Sequence, residues 1–161
     1  MYQIIPIQAQ HDADMCRIIQ QVGAQYGAVG DGFGPADAEV QCMSQHYPAE
    51  TRSQYLVALV DGRVVGGAGI APILDSKTVC ELKKLFLLPD YQGRGIGKAL
   101  SLACLAFARE QGYQQCYLDT LSSMQAAIGL YEQLGFVHLD RPWPGTLHGG
   151  CDVWMLKNIQ S

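Results

Sequence analysis

Apolar and polar positions alternate through most of this chain, and the breaks in that pattern mark its elements. Tyr2 to Gln8 alternates weakly and predicts a first strand. Over residues 11–25, Met15, Ile18, Ile19 and Val22 recur at helical spacing, with Asp12 or Asp14 placed to cap the helix. Residues 27–35 hold four glycines and a proline and predict a loop. Residues 36–47 predict a second helix with Val40 and Met43 turned inward. Gln54 to Val60 and Arg63 to Ile70 are apolar runs joined by Asp61-Gly62, a strong hairpin signal. Gly66, Gly67 and Gly69 in the second run predict a bulge or a close approach by another backbone.

After a turn at residues 75–77, residues 79–88 predict a fourth strand, which runs into Pro89 and then a glycine-rich turn. The helix expected at 98–112 is apolar on nearly every side, which predicts burial on more than one face, with Gly112 as its cap. Cys116 to Leu121 reads as a fifth strand, and strand–helix–strand connectivity makes strands four and five parallel. Ser122 and Gln125 fit a capping box opening a helix that presents Met124, Ala127, Ile128, Tyr131 and Leu134 on one face and ends at Gly135. Strands at 136–139 and 151–156 flank a loop at 140–150.

The chemistry concentrates at the turn Gln92-Gly93-Arg94-Gly95-Ile96-Gly97. Glycines at every second position leave backbone N–H groups uncovered, and the helix behind them points its positive end the same way. Such a corner suits a phosphate, and Arg94 and Lys98 add charge beside it. It is not a Walker loop, because Gln92 and Ala99 stand where glycine and Ser/Thr are needed. Nor is it a dinucleotide turn, since Lys98 replaces the last glycine. ATP or NAD binding by this turn is therefore disfavoured.

The turn does fit Q/R-x-x-G-x-G/A, and Ala127-Ile128-Gly129-Leu130-Tyr131-Glu132-Gln133-Leu134-Gly135-Phe136 follows at the right distance. Together these resemble the GNAT superfamily of N-acetyltransferases, over roughly residues 54–139. The resemblance implies an α/β (α+β) fold. Its sheet is mixed and mostly antiparallel, with six to seven strands and helices on both faces, and strands four and five are parallel and splayed apart. It implies acetyl-CoA as co-substrate, with the pyrophosphate on Gln92, Gly93, Arg94, Gly95, Ile96, Gly97 and Lys98. The acetyl and pantetheine groups would lie along the backbone of Leu85, Phe86 and Leu87. Tyr131 matches the family's tyrosine that donates to the leaving thiolate. Glu81 stands where several members carry a general base, although pairing with Lys83 or Arg63 on the sheet is an equally open role; Asp119 and His148 are weaker alternatives. Many relatives carry Asn seven residues before the tyrosine to contact the CoA arm. Here that residue is Met124, and Ser123 beside it is the substitute. Tyr26, Phe33 and Tyr47 are candidates to line the acceptor site.

Composition narrows the partners. At 161 residues the chain is most simply one domain. A net charge of −4 argues against nucleic acid and mildly favours a cationic substrate. No apolar run is long enough for a membrane span, and the N-terminus lacks a signal-peptide pattern. Six cysteines without C-x-x-C or His at metal spacing predict reduced core thiols, no metal and a cytoplasmic protein. The expected acceptor is a primary amine of a small molecule or an amino-acid-like compound. Peptide or protein amines, and a non-catalytic acyl-CoA sensor, are the alternatives. The resemblance also allows edge-strand pairing into a homodimer.

Overall fold

The computed structural model describes residues 1–30, 32–146 and 149–160. Its strands are β1 (Tyr2–Pro6), β2 (Gln54–Val60), β3 (Arg63–Pro72), β4 (Val79–Leu87), β5 (Gln115–Thr120), β6 (Val137–His138) and β7 (Val153–Asn158). They form one sheet in the order β1-β2-β3-β4-β5-β7-β6. Every pairing is antiparallel except β4 with β5. Helices α1 (Asp12–Gln25), α2 (Ile96–Glu110) and α3 (Gln125–Gln133) complete the framework.

Two cores lie on opposite faces of the sheet. Met15, Ile18, Ile19 and Val22 of α1 pack with Val40, Met43, Tyr55 and Phe86. Leu100, Cys104, Leu105 and Ala108 of α2 pack with Leu82, Leu87, Cys116, Leu118 and Tyr131. Asp61 and Gly62 turn the β2–β3 hairpin with φ of 51° and 78°, the left-handed pair that the Asp-Gly signal anticipates. All three α-helices stop the same way. Gly27, Gly112 and Gly135 have φ of 83°, 87° and 98°, and the next residue reaches back to the carbonyls of Gly23, Ala108 and Tyr131 respectively.

Four expectations need correction. Residues 36–47 are not an α-helix but two 3-10 segments, Gly34–Ala36 and Ala38–Gln45, with Cys42 out of helical geometry (φ −146°). Asp37 between them is extended, and its carboxylate is held by Lys84. Val40 and Met43 still point inward. Neither Asp12 nor Asp14 caps α1: Asp12 instead accepts from the Ser44 N–H and hydroxyl, at 2.8 and 2.6 Å, tying α1 to the 3-10 segment. Ser122 does not cap α3, because its N–H and hydroxyl are both spent on Asp152, and the helix begins at Gln125. Finally, α2 buries one face only. Its buried residues are Ile96, Leu100, Ser101, Cys104, Leu105 and Ala108, on the side toward the sheet, and Leu102 stays 48% exposed.

Candidate active site

The site begins with a defect in β4. Pairing with β3 runs from Cys80 to Lys83 and resumes at Phe86, so Lys84 and Leu85 together oppose Ala68. Lys84 sits at φ 56°, left-handed for a non-glycine residue. The bulge is held from two strands away. Tyr55 of β2 donates its hydroxyl to the Lys84 carbonyl at 2.7 Å. To get there its ring crosses β3 over Gly67 and Gly69, where an added Cβ would lie 2.6 and 2.5 Å from ring carbons. The glycines of the second hairpin strand thus mark a bulge and a close approach, here by a ring.

β4 leaves β5 before it reaches the defect. Their parallel ladder has three rungs, Val79–Gln115, Cys80–Cys116 and Glu81–Tyr117, and ends there. The strands then diverge, and the gap opens into a cavity of about 370 Å³. One end of the cavity is the glycine turn. Gly93 and Gly95 have φ of 76° and 84°, and a Cβ at either would meet nothing within 4 Å. They are required by conformation, not by crowding, and the space above them is open. Gly95 is the N-cap of α2 and supplies no side chain, so the first N–H groups of the helix face that space. Gln92 fixes the turn to the strand by donating its amide to the Leu87 carbonyl at 3.0 Å.

Tyr131 of α3 enters the cavity from the α2 side. It is 5% exposed and stands edge-on to Phe136. Burial, with Cys116 and Cys104 close by, pushes its phenol well above the ordinary tyrosine value. It is therefore a protonated hydrogen-bond donor at any working pH. Glu81 and Asp119 reach the cavity from β4 and β5. Beside them burial and the Asp119 carboxylate push the Cys151 thiol far up, so it lines the wall as a neutral group.

The other end is a roofed chamber. Val22, Tyr26, Phe33 and Pro35 form its apolar wall. Three ties hold the roof: Ser123 Oγ donates to the Tyr26 carbonyl at 2.8 Å, the Gly150 N–H donates to the Gly32 carbonyl at 2.9 Å, and the Phe33 ring covers Gly150 where a Cβ would sit at 2.5 Å. The floor carries Lys83 and Lys84. The bulge turns both toward the 3-10 segment, where Lys83 pairs with Glu39 at 2.9 Å, and Lys84 with Asp37 at 2.7 Å and Glu39 at 3.9 Å. The Lys84 side chain is only 2% exposed. Tyr47 donates to Glu39 from behind. Burial disfavours charge on this network, but its members outweigh that penalty. Glu39 is held below its ordinary value by Lys84 and Lys83, and Lys83 is held above its own by Glu39 and Glu81.

The cavity brings together Glu81, Leu85, Phe86, Leu87, Gln92, Gly93, Gly95, Gly97, Lys98 and Tyr131 of the residues singled out from sequence. It does not include Arg94, Ile96 or Ser123. Arg94 lies over the Tyr91 ring at 5.3 Å, Ile96 is buried in the α2 core, and Ser123 ties down the roof. Tyr26 and Phe33 line the roofed chamber, whereas Tyr47 is a core residue outside the lining. Glu81 lines the cavity and acts electrostatically on Lys83, whose ion pair is with Glu39. His148 lies outside the described residues. Sequence reasoning missed Lys83, Lys84, Asp37 and Glu39. The available signal was two consecutive lysines interrupting an apolar alternation, which marks a bulge.

Strands that part around a cleft, with a glycine turn and a helix N-terminus at its mouth, define a protein that holds a phosphorylated carrier beside an acceptor. The chain belongs to the acetyltransferase (GNAT) family, matched by residues 27–136, and is an acyltransferase. It is 40% identical over 152 residues to the uncharacterized N-acetyltransferase YjgM of Escherichia coli K12, a match spanning 93% of this chain and 90% of that one. A GNAT-family acetyltransferase from Staphylococcus aureus Mu50 shares the fold at TM-score 0.87 and 19% identity, over 99% of this chain and 100% of its own. So does Salmonella typhimurium yncA, solved with its cofactor acetyl-CoA, at TM-score 0.80 and 18% identity over 100% of this chain and 95% of its own.

Proposed function

We propose that this enzyme moves an acetyl group from acetyl-CoA to the primary amine of a small molecule or amino-acid-like acceptor. The observation that carries the reading is the continuity of one cavity. It runs from the glycine turn, along the gap between β4 and β5, to a chamber roofed on three sides, with Tyr131 and Glu81 in the same lining. A roof tied at Tyr26, Gly32 and Phe33 suits a small acceptor better than a peptide chain.

In this reading the backbone N–H groups from Gly93 to Lys98 hold the pyrophosphate, and the pantetheine arm takes the place β5 has vacated beside β4. A backbone N–H in the Leu85–Leu87 stretch polarises the thioester carbonyl. Glu81 takes a proton from the acceptor ammonium, directly or through water, so that the amine nitrogen can bond to the carbonyl carbon as the carbon–sulfur bond breaks. Tyr131 donates a hydrogen bond to the departing thiolate. Its raised pKa favours donation over full proton transfer, because an unperturbed phenol is already a weaker acid than a thiol by about 2 kcal/mol.

Two measurements test this. Thermal unfolding with acetyl-CoA, CoA, ATP and NAD in parallel reads the cofactor: a ligand at 100 times its Kd adds about 2.7 kcal/mol. The two CoA species alone are expected to raise the midpoint, by roughly 5–10 °C. Thiol release with a panel of small amines, amino acids and peptides then reads the acceptor. Turnover confined to peptides would replace the small-acceptor reading with a peptide one. Release no faster than hydrolysis on every amine would overturn it.

A further inference from the structure

The floor of the acceptor chamber is a dipole. On β4, Glu81 and Lys83 are two residues apart and so share a sheet face, about 7 Å between Cα atoms. Asp119, two residues beyond Tyr117 on β5 and so level with Lys83 in register, brings a second carboxylate to the lining; it and Glu81 both act on the Cys151 thiol and the Tyr117 phenol. The bulge adds Lys84 to Lys83. The acids that pair with these lysines, Asp37 and Glu39, are not part of the lining. Each ammonium has three donors. Among the described residues Lys83 spends one on Glu39 and Lys84 one on Asp37. A ligand thus meets carboxylates near the end of the ladder, ammonium groups at the bulge, and an apolar wall of Val22, Tyr26, Phe33 and Phe86 above.

We infer that the acceptor is a zwitterion, an α-amino acid with an apolar side chain. Its ammonium lies over Glu81 and Asp119, its carboxylate on Lys83 and Lys84, and its side chain against the aromatic wall. This rests on the acetyl-transfer reading and narrows it. Lys83 and Lys84 are then specificity residues, choosing among amines by what lies next to the nitrogen.

The test compares phenylalanine, phenylalaninamide and phenethylamine as acceptors, with leucine and isoamylamine as a second series. The amino acids are expected to exceed the amide and the amine at least tenfold in kcat/KM. Lys83→Met is expected to collapse that ratio at least tenfold, mainly through KM for the amino acid. Lys84→Met, with its melting temperature measured alongside, is expected to do the same. The ratio cancels any general damage to the fold. Equal or better turnover of phenethylamine, or a ratio unmoved in Lys83→Met, overturns the zwitterion assignment and leaves acetyl transfer standing. Failure of all five compounds while other amines react also overturns it. Failure of every amine together with no acetyl-CoA binding would instead remove the reading beneath it.

Discussion

The two ends of the cavity are built from different materials. The glycine-turn end is made of backbone: the N–H groups at the start of α2, and the strand segment Leu85–Leu87 with Gln92 locking its last carbonyl. The acceptor end is made of side chains: two lysines, two carboxylates paired with them, two more on the floor, and a wall of aromatic and aliphatic groups. In the proposed reading backbone holds the cofactor and side chains select the acceptor, so the second end can be altered without disturbing the turn. Tyr131 and Glu81, the groups proposed for catalysis, line the same cavity.

This contrast can be strained experimentally. The largest effect is expected at the groups proposed for catalysis. Tyr131→Phe should lower kcat by about 10²–10³-fold, the usual cost of one preorganised donor, while acetyl-CoA affinity measured by calorimetry changes little. A large loss of affinity instead would make Tyr131 a packing residue. Glu81→Gln should cost about 10²-fold with a strongly basic amine, which near pH 7 is almost wholly protonated, and under tenfold with an α-amine of pKa about 7.8. Rates on acceptors of graded basicity check this, and a uniform loss would remove Glu81 as the base.

Next comes the support of the bulge. Gly67→Ala places a Cβ 2.6 Å from the Tyr55 ring and 2.7 Å from the Leu56 carbonyl. It should destabilise by about 3 kcal/mol, a fall of roughly 6–12 °C in melting temperature. Smaller still, Arg94→Ala and Lys98→Ala should raise the acetyl-CoA Kd only a few fold each. Both side chains are exposed, and surface charges are worth about 1 kcal/mol or less. Losses of a hundredfold would show that side chains, not backbone, dominate that end.

The smallest effect concerns pH. Glu39 has a folded pKa below its unfolded one, so its contribution to stability is complete above the unfolded value and is lost as pH falls through the folded value. Lys83 has a raised folded pKa, so its contribution is complete below the unfolded lysine value and is lost as pH rises through the folded one. Glu39→Gln should flatten the acid limb of a melting-temperature profile, while the wild type keeps it.

The same contrast explains what the sequence disclosed. The backbone end was legible because its conformation demands glycine at fixed spacing: Gly93 and Gly95 have positive φ, and the turn stands between a strand and a helix. The parallel pair and its splay follow from connectivity and kinship. The acceptor end was not legible, because its residues converge from distant segments. Asp37 and Glu39 meet Lys84 and Lys83 across 47 and 44 residues of sequence, and no local pattern encodes that. Local capping signals misled for the same reason. Asp12 and Ser122 have good cap chemistry, yet each was claimed by a partner elsewhere, Ser44 and Asp152. Helical spacing at 36–47 was overridden by Pro35 and by the tether on Asp37.

Tyr55, Gly67, Gly69 and the bulged Lys84 also have a consequence for how this protein can change over generations. Tyr55 reaches Lys84 only because both glycines lack side chains, and neither glycine can acquire one while the ring is in place. Replacing Tyr55 first releases the Lys84 carbonyl and leaves its left-handed conformation without that support. Each single step therefore costs stability, whichever is taken first, so Tyr55 and the two glycines hold one another in place.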